Sequence, residues 1–275
     1  MTFQRKGPPG LDYKPCRYGT SRLTFRGPAR LLRGKYVAFL GSTETYGKYI
    51  PEPYPALVEQ ELGVTCVNLG CVNAGHDVYL HDPYVMELAG QARVRVLQIG
   101  GAHNMSNRFY TVHPRRNDRF LKSSRLMRQI FGDVDFTDFT FTRHMLESLC
   151  RFAPDRFAML REELQAAWVA RTRLLVQRLG GPVVLLWFAP HRMPGGPEAE
   201  TIGADPLFIE RWMVDALRDD VAEIVDATIS ASAQAAGLQG MVVPPGEEAV
   251  AAAMPGAVAH AEAAGPLLPA LRGRL

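Results

Sequence analysis

Cysteine is scarce in this sequence, with four residues (Cys16, Cys66, Cys71 and Cys150) among 275. They are too sparse and too irregularly spaced for a disulfide framework, and no two stand in the CxxC spacing that often holds zinc. No run of about 18 apolar residues occurs, so no membrane span is expected. The opening stretch MTFQRKGPPGLDYK carries positive charge but no apolar segment after it, which argues against a secretion signal and for the cytoplasm. An excess of one charge is also missing. The 31 basic and 28 acidic residues leave a formal charge of +3, too small to argue for nucleic acid. His76-Asp77 and His81-Asp82 lack the i, i+4 or HExxH geometry of a metal site, so neither metal nor cofactor is expected.

What is present is enough apolar sequence, 47% of the chain, to bury a sizeable core. Residues 1–34 are rich in Gly, Pro and Arg without periodicity and read as an arm lying over the domain or over a partner, which leaves room for a homo-oligomer. From residue 35 short apolar runs begin, the first three stopped by Gly41, Gly70 and Gly100. They are Tyr36–Leu40, Val64–Leu69, Val94–Ile99, Pro182–Phe188 and Ala222–Ala227. Helical patterns at Tyr54–Leu62, Arg161–Leu179 and Ala257–Leu271 alternate with them. This order predicts one α/β domain over 35–272, a three-layer doubly wound sheet of about five parallel strands in flavodoxin-like order. Residues 105–155, polar and aromatic, are expected to form an insertion of one or two helices without a further sheet strand. Ligands of such sheets sit beyond the carboxyl ends of the strands, so residues after each apolar run are the candidates for chemistry.

Four of those places carry a resemblance. Gly41-Ser42-Thr43-Glu44-Thr45-Tyr46-Gly47, Asn68-Leu69-Gly70, Gly101-Ala102-His103-Asn104 and Met254-Pro255-Gly256 occur in the order of the sequence blocks of the SGNH (GDSL-type) hydrolases, which they resemble. The Gly-x-Thr-Glu-Thr turn and His113-Pro114-Arg115-Arg116-Asn117-Asp118-Arg119-Phe120 further resemble an uncharacterised bacterial branch with no assigned activity. The resemblance implies a nucleophile at Thr43, with Ser42 beside it. It also implies oxyanion donors at Gly70 and Asn104, with Gly101 and His103 in the same loop.

At the last block the residues depart from the family. The resemblance places its histidine base at Met254 and the supporting aspartate at Ala251, and neither side chain transfers a proton. His260 then reads as a structural residue of the closing helix, and His191, after the fourth strand, or His103, in the oxyanion loop, as a replacement base. Glu44 reads as a cap on the turn that follows it.

Between Arg108 and Arg125 six cations (Arg108, Arg115, Arg116, Arg119, Lys122 and Arg125) face one anion, Asp118, with aromatics interleaved. Asp133, Asp135 and Asp138 could neutralise them. Alternatively Arg115, Arg116 and Arg119 hang over the pocket and bind a carboxylate, sulfate or phosphate. Single-stranded nucleic acid draws little support from one short cluster. Three functions stand together. The first is an esterase or O-acyltransferase acting on an ester of a carbohydrate or small polar molecule. The second is a silent relative that binds an anionic saccharide or a protein. The third is a sulfo- or phosphotransferase using His191 or His113.

Overall fold

The computed structural model describes residues 10–196 and 202–275. Its strands are β1 (Val37–Leu40), β2 (Cys66–Asn68), β3 (Val94–Gln98), β4 (Tyr110–His113), β5 (Arg116–Ser123), β6 (Val183–Trp187) and β7 (Glu223–Asp226). Five of them form one parallel sheet in the order β2-β1-β3-β6-β7, the flavodoxin-like order once the β4–β5 hairpin is set aside. The helices are α1 (Thr43–Tyr46), α2 (Tyr54–Leu62), α3 (His76–Leu80), α4 (Pro83–Gln91), α5 (Arg125–Ile130), α6 (Thr142–Phe152), α7 (Pro154–Leu179), α8 (Arg211–Asp215), α9 (Ala231–Ala235), α10 (Glu248–Ala252) and α11 (Ala257–Arg272).

β1 and β6 are apolar throughout, and β3 is fully buried with Arg95 and Gln98 as its polar residues, because both faces of the sheet are covered. Successive side chains point to opposite faces, so Val37, Phe39, Val94, Val96, Val184 and Leu186 pack with α2 and α11. Ala38, Leu40, Leu97, Leu185 and Trp187 join the larger core with α4 and α7. Two helix boundaries have a clear local cause. Asp82 caps α4 by accepting from the Val85 N–H at 3.1 Å, ahead of Pro83 in the first turn. Gly63, at φ 65°, closes α2.

The insertion differs from its sequence-based expectation. It contains α5 and α6 but also the antiparallel hairpin β4–β5. The hairpin's alternation is broken by register shifts on either side of Val112, and β5 buries only Asn117, Phe120 and Ser123, three residues apart. A two-residue period is therefore confined to the four residues of β4 and absent from β5, although the Tyr110 and Phe120 rings meet at 6.1 Å.

The first nine residues of the predicted arm lie outside the described residues. The rest packs on its own chain: Tyr18, Leu23 and Phe25 are buried in the larger core. The Arg26 guanidinium donates to the carbonyls of Gly47 at 2.7 Å and Pro51 at 2.6 Å. Ser21 donates to Asp82 at 2.6 Å.

Candidate functional site

A cleft of about 730 Å³ opens at the carboxyl ends of β1, β3 and β6. The β1–α1 turn brings Ser42, Thr43 and Glu44 to it, and the loop after β2 brings Asn73. The loop after β3 contributes Gly101, His103 and Asn104, and the hairpin reaches in with Asp118. Arg143 and Asp205 close its outer side.

Gln98, the last residue of β3, pins the turn. Its side-chain oxygen accepts from the Ser42 N–H at 3.0 Å, the Thr45 N–H at 3.3 Å and the Thr45 hydroxyl at 2.6 Å. Its amide nitrogen donates to Glu44 Oε2 at 2.8 Å. The approach is close enough that a Cβ on Gly41 would meet Thr45 Oγ1 at 2.1 Å, so only glycine fits there.

Thr43 and Ser42 present different hydroxyls. Thr43, 5% exposed, donates to Asn73 Oδ1 at 3.1 Å and accepts from the Asn73 N–H at 3.0 Å. The Asn73 amide nitrogen continues to Asp118 Oδ2 at 3.0 Å, while Asp118 Oδ1 is buried without a partner among the described residues. The Ser42 hydroxyl, half-buried on the cleft wall, makes no hydrogen bond with the described residues and does not cap α1.

Burial pushes the Glu44 carboxyl above the usual carboxylate range, partly opposed by the Gln98 amide. Glu44 thus faces the cleft as a carboxyl that holds its proton more readily than usual. Burial pulls His103 below its ordinary value, so its imidazole is neutral at physiological pH. Its Nδ1 is buried with no partner among the described residues, and its carbonyl accepts from the Tyr110 hydroxyl at 2.7 Å. Asn104 is held by the Thr142 hydroxyl, which donates to its Oδ1 at 2.9 Å and leaves the amide N–H groups to the cleft.

Gly70 stands elsewhere than its expected role requires. Its N–H is taken by Asn68 Oδ1 at 2.9 Å, and a Cβ there would meet the Tyr46 nitrogen at 2.4 Å, so this glycine seats the loop against α1. The amide that meets the Thr43 oxygen belongs to Asn73, whose φ of 56° turns the backbone toward it. Gly101 lines the cleft and gives room to the Leu207 backbone, 2.8 Å from where its Cβ would be.

His191 is not brought to this cleft. Its Nδ1 lies 3.0 Å from the Arg192 carbonyl and its Nε2 3.1 Å from the Asp205 carbonyl, so the ring ties down a loop in a small depression that adjoins the cleft at Ala204 and Pro206. Met254 lines a narrow recess beside Thr43 and Glu44, and Ala251 is buried at the end of α10. His260, at the back of that recess, accepts from the Tyr54 N–H at 3.1 Å and stacks on the Tyr54 ring. Burial pulls it down to about 3, which keeps it neutral.

The arginines of the hairpin do not hang over the cleft. Arg115 and Arg116 are exposed at the β4–β5 turn, and the Arg119 guanidinium sits over the Phe141 ring at 5.7 Å. Of the acids expected to neutralise the cluster, Asp133 pairs with Arg156 at 2.8 Å and Asp135 accepts from Thr137, and Asp138 makes no ion pair with the described residues. Arg108 pairs with Glu163 of α7. The cleft's own arginine, Arg143, is paired with Asp205 at 2.7 Å and Glu147 at 2.9 Å. Among the described residues no group of His, Cys, Asp and Glu is placed to hold a metal ion, and no helix is long and apolar enough to cross a membrane.

Among solved structures the chain is similar to an extracellular lipase from Streptomyces rimosus, at 14% identity and a TM-score of 0.42, over 88% of this chain and 100% of that one. It is similar to a catalytic mutant of Axe2, an acetylxylan esterase from Geobacillus stearothermophilus, at 15% identity and a TM-score of 0.42, over 86% and 93%. It is also similar to the lipase Lip_vut3 from a goat rumen metagenome, at 12% identity and a TM-score of 0.44, over 86% and 97%. No curated protein matches the chain. The family model that does match covers residues 1–275, and the chain belongs to that family, described as Domain of unknown function (DUF6473).

Proposed function

We propose that the cleft binds a polar, uncharged, hydroxyl-rich ligand of the saccharide class in an SGNH-like setting, and that ester hydrolysis through Thr43 does not run there. The observation that carries this reading is the Thr43 hydroxyl donating to Asn73 Oδ1. An amide oxygen is too weak a base to take a hydroxyl proton near neutral pH, and general-base catalysis needs a group whose pKa lies near the working pH. The positions that the family resemblance assigns to the proton-transfer pair hold Met254 and Ala251.

The lining supports the ligand class. Glu44, Asp118 and Asp205 accept from hydroxyls, Asn104 donates, and Phe141 and Phe188 give apolar faces. Three carboxyl groups against one arginine that is already paired disfavour an anion in this cleft. Calorimetry with xylotetraose and with tetragalacturonate tests this. The neutral oligosaccharide is expected to bind at least about tenfold more tightly, and preference for the acidic one would overturn the reading.

One observation favours a second reading, acyl transfer through Ser42. Its hydroxyl is unpartnered among the described residues and shares the cleft with the neutral imidazole of His103. Turnover of p-nitrophenyl acetate that is lost in Ser42→Ala but kept in Thr43→Ala would select it.

A further inference from the structure

On the opposite side of the hairpin turn, a depression of about 400 Å³ lies between the N-terminal segment and α4. Its volume falls within the range of small-molecule sites. Arg22 reaches it from the N-terminal segment and Arg115 from the β4–β5 turn. Both are exposed, and neither guanidinium makes a hydrogen bond or ion pair with the described residues.

The one carboxylate on the wall, Asp82, is buried and pairs with neither of them. Its Oδ1 accepts from the Val85 N–H and its Oδ2 from the Ser21 hydroxyl. The half-buried Tyr84 and the exposed Pro114 give apolar surface beside the two cations, with Leu23 and Val78 buried behind them. Isolated surface arginines are ordinarily solvated, but two from distant segments converge here on one concave space that also offers apolar surface. Two guanidinium groups match the oxygens of a phosphate by paired N–H donation, which a single carboxylate would not fully use.

We propose that this depression is a second ligand site, separate from the cleft, for a phosphate monoester carried on a flat ring. Calorimetry on the full chain with adenosine monophosphate, adenosine and inorganic phosphate tests it, with Arg116→Ala as the control because Arg116 is exposed nearby but does not line the depression. Adenosine monophosphate is expected to bind more tightly than either component alone and more weakly at high ionic strength. Arg22→Ala and Arg115→Ala are each expected to weaken it by about tenfold, with the unfolding midpoint unchanged and Arg116→Ala without effect. The proposal is overturned by absence of binding at millimolar nucleotide, by equal affinity for inorganic phosphate, or by Arg116→Ala weakening binding as much as Arg115→Ala.

Discussion

The Thr43 hydroxyl and Asn73 bond to each other twice: the hydroxyl donates to the asparagine's side-chain oxygen at 3.1 Å, and the asparagine's N–H returns to the hydroxyl oxygen at 3.0 Å. The hydroxyl's single proton and one of its two acceptor positions are thus engaged, and its proton points at a group that cannot remove it. The pair also links the start of α1 to the hairpin, since Asn73 donates onward to Asp118.

Asn73 is held at φ 56°, a conformation that glycine adopts freely and alanine resists. Asn73→Gly therefore removes the two side-chain bonds while keeping the backbone, and is expected to cost about 1–2 kcal/mol. Asn73→Ala should fall lower still, because the left-handed backbone is then strained. Urea midpoints measure both, and an alanine variant as stable as the glycine variant would contradict the backbone part of this explanation.

Gln98 is buried and satisfies three donors of the β1–α1 turn. Gln98→Leu keeps much of the volume but strands those donors, at an expected cost of about 2–4 kcal/mol. Gln98→Glu retains the acceptor and loses the donation to Glu44 at 2.8 Å. The glutamate variant is expected to raise the Glu44 carboxyl further, which carboxyl chemical shifts followed against pH would read out. A Glu44 titration unchanged in that variant would show that the amide does not hold it.

Two histidines make the acid side of stability steep. Burial pulls His76 down to about 4 and His260 to about 3, against an ordinary value near 6.5. Between those limits the unfolded chain binds protons that the folded chain refuses, so stability rises with pH and is lost as pH falls below about 6.5. Each group contributes a slope of about 1.4 kcal/mol per pH unit within its window. Denaturant midpoints from pH 7 to 4 should show this loss, and His260→Asn should flatten it. A flat profile in the wild type would mean that these imidazoles are not held neutral.

The five parallel strands were legible because burial on both faces leaves runs such as Val183–Trp187 with no polar interruption. The hairpin was not, since the alternation in β4 lasts only four residues and β5 buries every third residue. In the site, the residues after β1 and β3 line the cleft where the strand ends place them, but local contacts decide what each group does. His191 follows β6 as a candidate base should, yet its ring nitrogens lie against two carbonyls. A glycine motif pointed to the Gly70 amide, whereas the positive φ that turns an N–H toward Thr43 is at Asn73. Gln98 carried a readable signal, a polar residue ending an apolar strand. Asp118 carried none, because only the folded insertion brings it beside Asn73.

Hydrolysis of p-nitrophenyl acetate by the wild type, by Thr43→Ala, and by a variant combining Thr43→Ser, Ala251→Asp and Met254→His tests most directly whether Thr43 is silent for want of a base. The wild type and Thr43→Ala are expected to be indistinguishable in turnover, while the triple variant shows a burst of acyl-enzyme. Wild-type turnover that Thr43→Ala abolishes would contradict it.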